Sequence, residues 1–365
     1  MIFALMTSEI FAHLSLLTLT LPEALDEHFL KWWNGVLSIT HAANPYNENL
    51  TAEPEFTIIN GKKEVTPHHC EPAAHFSQVC MNSMGKDALS QIALVQELTQ
   101  EPILAVTVDN SWLFRKKSMF KKVETLSKSL KQYNIHPYIV SSPVKDSFDF
   151  RVIPWQIFSL PLLYTHSVDT CYWALELPFN KCRNNIPVKP SATVILLESM
   201  NRVLKDLGYT FTFKSGVVPL TTFGTMKLFI ERYPEFNRYQ YSCMHQYPPC
   251  SRCQKCQSQM AYITMCGKDY TEWGYRDIKI KDLSTYPDVL DIEREPIEHA
   301  LNRVKGIPDD LEWVEKYYRD ALPYAVPGVE SILKEHFEGF EGPFTSCGIY
   351  EYNPRQWGDI AATIY

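Results

Sequence analysis

Two short stretches of this chain hold residue types whose spacing could do chemistry. The first is Asn82-Ser-Met-Gly-Lys-Asp-Ala88. The apolar run Val79–Met81 leads into it. Asp87 then opens a segment with Ala88, Leu89, Ile92, Val95 and Leu98 at the spacing of one helical face. A strand, a small polar loop and a helix N-terminus bring unpaired backbone N–H groups and the positive end of the helix dipole to one point, where a phosphate fits. Read alone, the loop is also compatible with a plain tight turn, Lys86 lying on the surface and Asp87 capping the helix. It is not a Walker A loop, because the Gly-x-x-x-x-Gly-Lys-Ser/Thr spacing is absent.

The second stretch is Cys243-x6-Cys250-x2-Cys253-x2-Cys256. The chain has ten cysteines, and these four lie within fourteen residues. Four thiolates so spaced can close round one zinc ion at the usual Zn–S distance of ~2.3 Å, and a four-cysteine site of that kind is structural rather than catalytic. An iron–sulfur cluster or a redox group is the other use of such a set. Arg252 and Lys255 suit the negative charge of four thiolates. Clustering of this kind reads as metal ligation in a reducing compartment, so the expected location is the cytoplasm. His68-His69-Cys70 has no fourth ligand nearby in sequence and reads as a polar loop.

These residues need elements to hold them. From Phe76 the pattern is βαβα: a helix ending near Thr99, then Ile103–Val108, the near-continuous apolar run of a central parallel strand. That strand ends in Asp109-Asn110, where an open α/β sheet places its ligand site. Lys117–Tyr133 reads as a basic amphipathic helix with Met119, Phe120, Val123, Leu126 and Leu130 inward, and Ile135–Val140 as a third strand. Val152–Leu163 is apolar, but Pro154 and Pro161 argue against one regular helix. Tyr172–Leu177 is expected as a strand, Pro190–Leu207 and Phe223–Arg232 as helices. The fold class is α/β with a doubly wound, mainly parallel sheet.

Outside that core, Leu14–Leu21 reads as a buried strand rather than a signal or membrane segment, since no basic region precedes it and the apolar run is short. Phe56–Ile59 with Asn60-Gly61 suggests a hairpin returning through Lys62–Val65. Ile292–Lys305, Asp309–Ala321 and Pro327–Phe337 have helical spacing. The tail, residues 344 to 365, reads as docked on the body of the protein.

The loop, Asp109 and the cysteine set together resemble the 7-cyano-7-deazaguanine synthases, members of the N-type ATP pyrophosphatase (PP-loop) superfamily. That family carries a Ser-Gly-Gly-x-Asp-Ser loop after its first strand, an Asp ending its second, and a late four-cysteine zinc knuckle. The corresponding positions here are Ser83-Met84-Gly85-Lys86-Asp87-Ala88, Asp109, and Cys243, Cys250, Cys253 and Cys256. Val217-Val-Pro-Leu220 resembles the family's Pro-Leu segment upstream of the knuckle. The likeness covers about residues 74–265.

The resemblance implies a PP-loop nucleotide-binding domain at 73–240, a zinc knuckle at 241–266, a partly β N-terminal extension at 1–72 and a helical C-terminal extension at 267–365. It implies ATP held by Ser83, Met84, Gly85, Lys86, Asp87, Ala88 and Asp109, with Lys86 and Asp87 catalytic, Mg²⁺ on Asp87 or Asp109, and Zn²⁺ on the four cysteines. The implied reaction is adenylation of 7-carboxy-7-deazaguanine, or a related deazapurine, for attack by ammonia. Met84 stands where the family has glycine, so the loop must bend away or accept an unusual φ/ψ, and Ala88 stands where it has a hydroxyl. Thr225 falls near the family lysine, and Ile153-Pro-Trp-Gln156 where the family has Val-Pro followed by Gly-Arg-Asn. These departures keep two other readings open. One is a PP-loop enzyme acting on a nucleic-acid base or protein terminus; the other is a non-catalytic nucleotide-binding part of a multiprotein defence or DNA-modification system.

Bulk properties narrow this little. The chain has 365 residues, 45% apolar and 21% charged, with a net charge of −7. That composition is globular, with no global basic field for nucleic acid, although a local basic groove is compatible with it. The extensions are candidate protein-binding surfaces, and no membrane partner is expected.

Overall fold

Short apolar runs without amphipathic spacing need burial on both faces, and this chain provides it by laying five strands side by side. In the computed structural model the described residues are 16–20, 26–27, 29–32, 55–59, 61, 75–109, 117–141, 152–176, 182–183, 186–187, 194–218, 220, 222–243, 245–278 and 325–336. Two N-terminal strands, β1 (Leu16–Thr20) and β2 (Glu55–Ile59), pair with each other in parallel. The expected return strand Lys62–Val65 lies outside the described residues, as do His68-His69-Cys70, Ile292–Lys305, Asp309–Ala321 and residues 344 to 365.

The central sheet alternates with helices: β3 (Gln78–Met81), α1 (Lys86–Thr99), β4 (Ile103–Asp109), α2 (Lys117–Ser129), β5 (Ile135–Ser141), α3 (Val152–Thr165) and β6 (Thr170–Tyr172). A small antiparallel pair, β7 (Cys182–Arg183) and β8 (Ile186–Pro187), precedes α4 (Val194–Asp206) and β9 (Thr212–Lys214). Then come α5 (Thr222–Arg232), α6 (Gln254–Met265) and α7 (Val329–His336). The sheet order is β5-β4-β3-β6-β9, and every neighbouring pair is parallel. This is a doubly wound α/β fold.

Strand alternation divides the core. Val79, Met81, Leu104, Val106 and Val108 face one side, buried with Leu163 of α3 and Leu197, Met200 and Leu204 of α4. Cys80, Ile103 and Ala105 face the other, buried with residues of α1, α2, α5, α6 and α7. Val123, Leu126 and Leu130 face inward as their spacing predicts. Pro137 lies in β5, an edge strand, where a proline is tolerated.

Two expectations fail. Val152–Leu163 belongs to a single helix, α3, which runs from Val152 to Thr165 with Pro161 inside it. Pro154 is the third helical residue, where no intrahelical acceptor is needed, and Pro161 is exposed, so its ring sits at the solvent side. The expected strand Tyr172–Leu177 is also misplaced: β6 runs from Thr170 to Tyr172 and shares only Tyr172 with it, after which the chain leaves the ladder.

The carboxyl ends of β6 and β9 are tied together by side chains. Gln91 of α1 is fully buried; its Nε2 donates to the Tyr172 carbonyl at 3.0 Å and its Oε1 accepts from the Gly216 N–H at 2.9 Å. Ser215 Oγ accepts from the Leu175 N–H at 3.1 Å and donates to the Leu175 carbonyl at 2.8 Å. Gly216 is required here, since a Cβ would lie 2.6 Å from Gln91 Cγ, and Gln91 is held at both ends of its amide. Gly216→Ala should therefore lower stability by about 1–3 kcal/mol in urea titration. An unchanged urea midpoint would show that the amide clamp moves freely.

Candidate functional site

In an open parallel sheet the ligand crevice forms outside the carboxyl ends of the strands where the winding reverses. Here α1 and α2 cover one face and α3 and α4 the other, so the reversal falls between β3 and β6. The loop Asn82–Gly85 leaves β3 at that point, and Trp173–Glu176 leaves β6 opposite it.

The loop is built by its own side chains. The Asn82 N–H donates to the Val106 carbonyl at 2.7 Å, and Asn82 Oδ1 accepts from the Met84 N–H at 2.8 Å. Asn82 Nδ2 reaches Met84 Sδ at 3.2 Å and Ser127 Oγ of α2 at 3.3 Å. Met84 has φ +59°, the left-handed conformation a glycine adopts freely, and its side chain is fully buried. Backbone strain of about 1–2 kcal/mol is offset by burying a methionine, worth about 1.5–3 kcal/mol. The position keeps a glycine-like backbone while its side chain fills the core.

α1 begins with Gly85 as its N-cap and has no side-chain cap. The first intrahelical bond joins the Leu89 N–H to the Gly85 carbonyl at 3.0 Å, which leaves the N–H groups of Lys86, Asp87 and Ala88 without a helical acceptor. The Gly85 N–H makes a long contact, 3.4 Å, to Ser83 Oγ.

Lys86 is not on the surface, as the plain-turn reading would have it, and Asp87 does not cap the helix. Its side chain is 4% exposed, and its Nζ contacts Asp87 Oδ1 and donates to Glu176 Oε1 at 2.8 Å. Burial pushes against the ammonium, but the two carboxylates outweigh it and hold Lys86 protonated well above the ordinary lysine value. Burial would raise the Asp87 carboxyl; the charge and hydrogen bond of Lys86, with Lys255 beyond, instead hold it below its usual range. Glu176 is as buried as Lys86, whereas the Asp87 side chain is 36% exposed. One ammonium between two carboxylates leaves a formal charge of −1 on the triad, which Lys255 offsets in part from beyond. Asp109 ends β4 one strand away, in register with Ser141, on the same edge of the sheet as the loop.

The cysteine set comes together as its spacing predicts. The Sγ atoms of Cys243, Cys250, Cys253 and Cys256 all lie within 4.8 Å of one another, and Cys250 and Cys256 are 3.8 Å apart. Tetrahedral Zn–S bonds of ~2.3 Å give an S–S edge of ~3.8 Å, so the four soft donors are close enough together to hold a metal ion such as zinc. The N–H groups of His245 and Cys250 point at Cys243 Sγ, each at 3.4 Å, and that of Cys253 at Cys250 Sγ at 3.3 Å. Such donors stabilise thiolates. The set lies against the loop: the Tyr241 N–H donates to the Met84 carbonyl at 2.6 Å, and Cys243, Cys256, Tyr241 and Met84 share one core.

Three contributors to the site escape a reading of the sequence. Glu176 follows the carboxyl end of a parallel strand, a signal in retrospect, but nothing local pairs it with Lys86. Gln91 looks like an ordinary helix residue, and Lys255 looks like charge compensation for the knuckle. No protein-family model matches the chain, and no curated protein matches it. Among the described residues no helix is long and apolar enough to cross a membrane.

Two outcomes follow. Replacing Cys250 with Ser should reduce bound zinc from about one ion per chain to almost none and lower the melting temperature by several degrees; full metal content by elemental analysis would contradict the site. Because the folded pKa of Asp87 is depressed, its contribution is complete above the ordinary carboxylate pKa of about 4 and is lost as pH falls through the depressed value. Asp87→Asn should thus cost about 1–2 kcal/mol at neutral pH, allowing for partial exposure, with the difference from wild type shrinking in acid. A pH-independent difference would contradict the ion pair.

Proposed function

We propose that the chain is an ATP-dependent enzyme of the PP-loop type that activates a carboxylate on a deazapurine, as the 7-cyano-7-deazaguanine synthases do, for attack by ammonia or another amine. The observation that carries this reading is Lys86, held buried at the first turn of α1 at the winding reversal, beside three N–H groups without helical acceptors. Support for the deazapurine comes from the resemblance over Ser83–Ala88, Asp109 and the cysteine set.

The N–H groups of Lys86, Asp87 and Ala88 would hold phosphate oxygens, and the helix dipole would add to their pull. Asp87, the exposed carboxylate of the pair, would take Mg²⁺ together with Asp109. Turning Asp87 toward that ion leaves the Lys86 ammonium on Glu176 and free to face the phosphates. The substrate carboxylate oxygen attacks the α-phosphorus of ATP, and the bond to pyrophosphate breaks. The amine then attacks the acyl carbon, the C–O bond to AMP breaks, and a proton leaves the nitrogen. Lys86 neutralises charge as it grows on the phosphates, and the fixed loop supplies position. Cys243, Cys250, Cys253 and Cys256 would hold zinc, which would supply a structural cross-link beside the loop. A macromolecular acceptor is the second reading, favoured by the basic face described below.

Incubation with labelled ATP, ammonium and 7-carboxy-7-deazaguanine should yield AMP, pyrophosphate and the amide, or the nitrile where a second ATP activates the amide oxygen and carries it away on AMP. Asp87→Ala should reduce turnover at least ~100-fold without loss of fold. Absence of ATP binding by calorimetry would sink the proposal.

A further inference from the structure

The chain is acidic overall, yet one face beside the loop carries the opposite sign. α2 holds four lysines against one glutamate, and residues 240–268 hold Arg252, Lys255 and Lys268 with no Asp or Glu. These two segments meet. Lys122 Nζ of α2 lies 4.4 Å from the ring centroid of Tyr247, a cation–π contact. Tyr247 stacks on Tyr241, with centroids 5.8 Å apart and planes 27° apart. Tyr241 is bonded to the Met84 carbonyl, and Ser127 of α2 to Asn82, so this seam starts at the loop itself. Tyr247 is 43% exposed, a large ring held at the surface by its neighbours, and Lys121 of α2 and Arg252 and Lys255 of the cysteine segment, on the two segments that meet there, are exposed. Lys255 reaches close enough to draw down the Asp87 carboxyl, which links the seam to the crevice.

We propose that this seam binds single-stranded nucleic acid, with Lys121, Lys122, Arg252 and Lys255 on phosphates and Tyr247 against a base. A basic track with an aromatic platform is what a sequence-tolerant strand site requires. An acidic peptide would use the lysines but gain little from an exposed ring. A duplex is excluded as the reacting form because a paired base cannot reach a crevice at the sheet edge. The deazapurine or base acted on is then part of a strand or is delivered to one. That consequence rests on the adenylation reading, whereas strand binding itself does not.

The test is fluorescence anisotropy of the full, zinc-loaded chain with a short labelled single-stranded RNA or DNA, without ATP, over a range of salt. Log affinity should fall linearly with log salt, by about 0.7 for each phosphate neutralised. Tyr247→Ala should weaken binding roughly tenfold with little change of slope. Lys121→Gln with Lys122→Gln should flatten the slope by about 1–1.5. Equal zinc content and melting temperature would separate these effects from misfolding, and if Tyr247→Ala does not fold, the lysine pair on α2 decides alone. No salt-dependent binding, or affinities the variants leave unchanged, would overturn the proposal. So would polyglutamate competing as well as the oligonucleotide while Tyr247→Ala has no effect. Strand binding without ATP binding would leave this surface standing and remove the adenylation reading; ATP binding without strand binding would remove only this surface.

Discussion

The site depends on one buried ammonium. Enclosing Lys86 away from water costs several kcal/mol unless carboxylates surround it, and Asp87 and Glu176 do so. Because Lys86 starts α1 and Glu176 follows β6, this ion pair joins the two chain segments that flank the winding reversal. Replacing it with apolar groups would cost the fold little in principle. A charged triad at the mouth of a parallel sheet, with one carboxylate partly open, is better explained by charge handling than by stability.

The rest of the crevice is arranged around that pair. Ser215 grips Leu175, next to Glu176, and the Gln91 amide spans Tyr172 and Gly216, so the carboxylate stands on a rigid base. On the other side the cysteine knuckle supports the loop through Tyr241 and a shared core. Farther out, Arg232 pairs with Glu97 at 2.5 Å and with Glu335 at 3.1 Å, and Tyr233 donates to Glu97 at 2.7 Å. These contacts, with buried Val329, Ile332 and Leu333, fasten α7 to α1 and α5. Residues from Met84 to Leu333 therefore contribute to one apolar body beneath α1, and the knuckle is joined to the α/β core rather than appended to it.

Local signals made much of this legible from the sequence. The runs 79–81 and 103–108 and the spacing of Val123, Leu126 and Leu130 identify strands and a helix because each is decided by neighbours in sequence. The cysteine set was legible for the same reason, its four donors lying within fourteen residues. Interactions across long separations were not. Glu176 lies ninety positions from Lys86, and no local pattern marks the pair. α3 defeated the proline rule because Pro154 falls in its first turn and Pro161 on its exposed side. The conformation of Met84 was not legible either: its positive φ and its side chain's place in the core are both set by the loop and the elements packed on it.

The central claim is that Lys86 and the first turn of α1 hold the phosphates of a nucleotide. The most direct measurement is a crystal structure of the chain with Mg²⁺ and a non-hydrolysable ATP analogue. The account predicts phosphate oxygens on the N–H groups of Lys86, Asp87 and Ala88, with Asp87 turned away from Lys86 toward the metal. A triphosphate bound elsewhere, with the Lys86–Asp87–Glu176 cluster unchanged and the helix N-terminus empty, would contradict it.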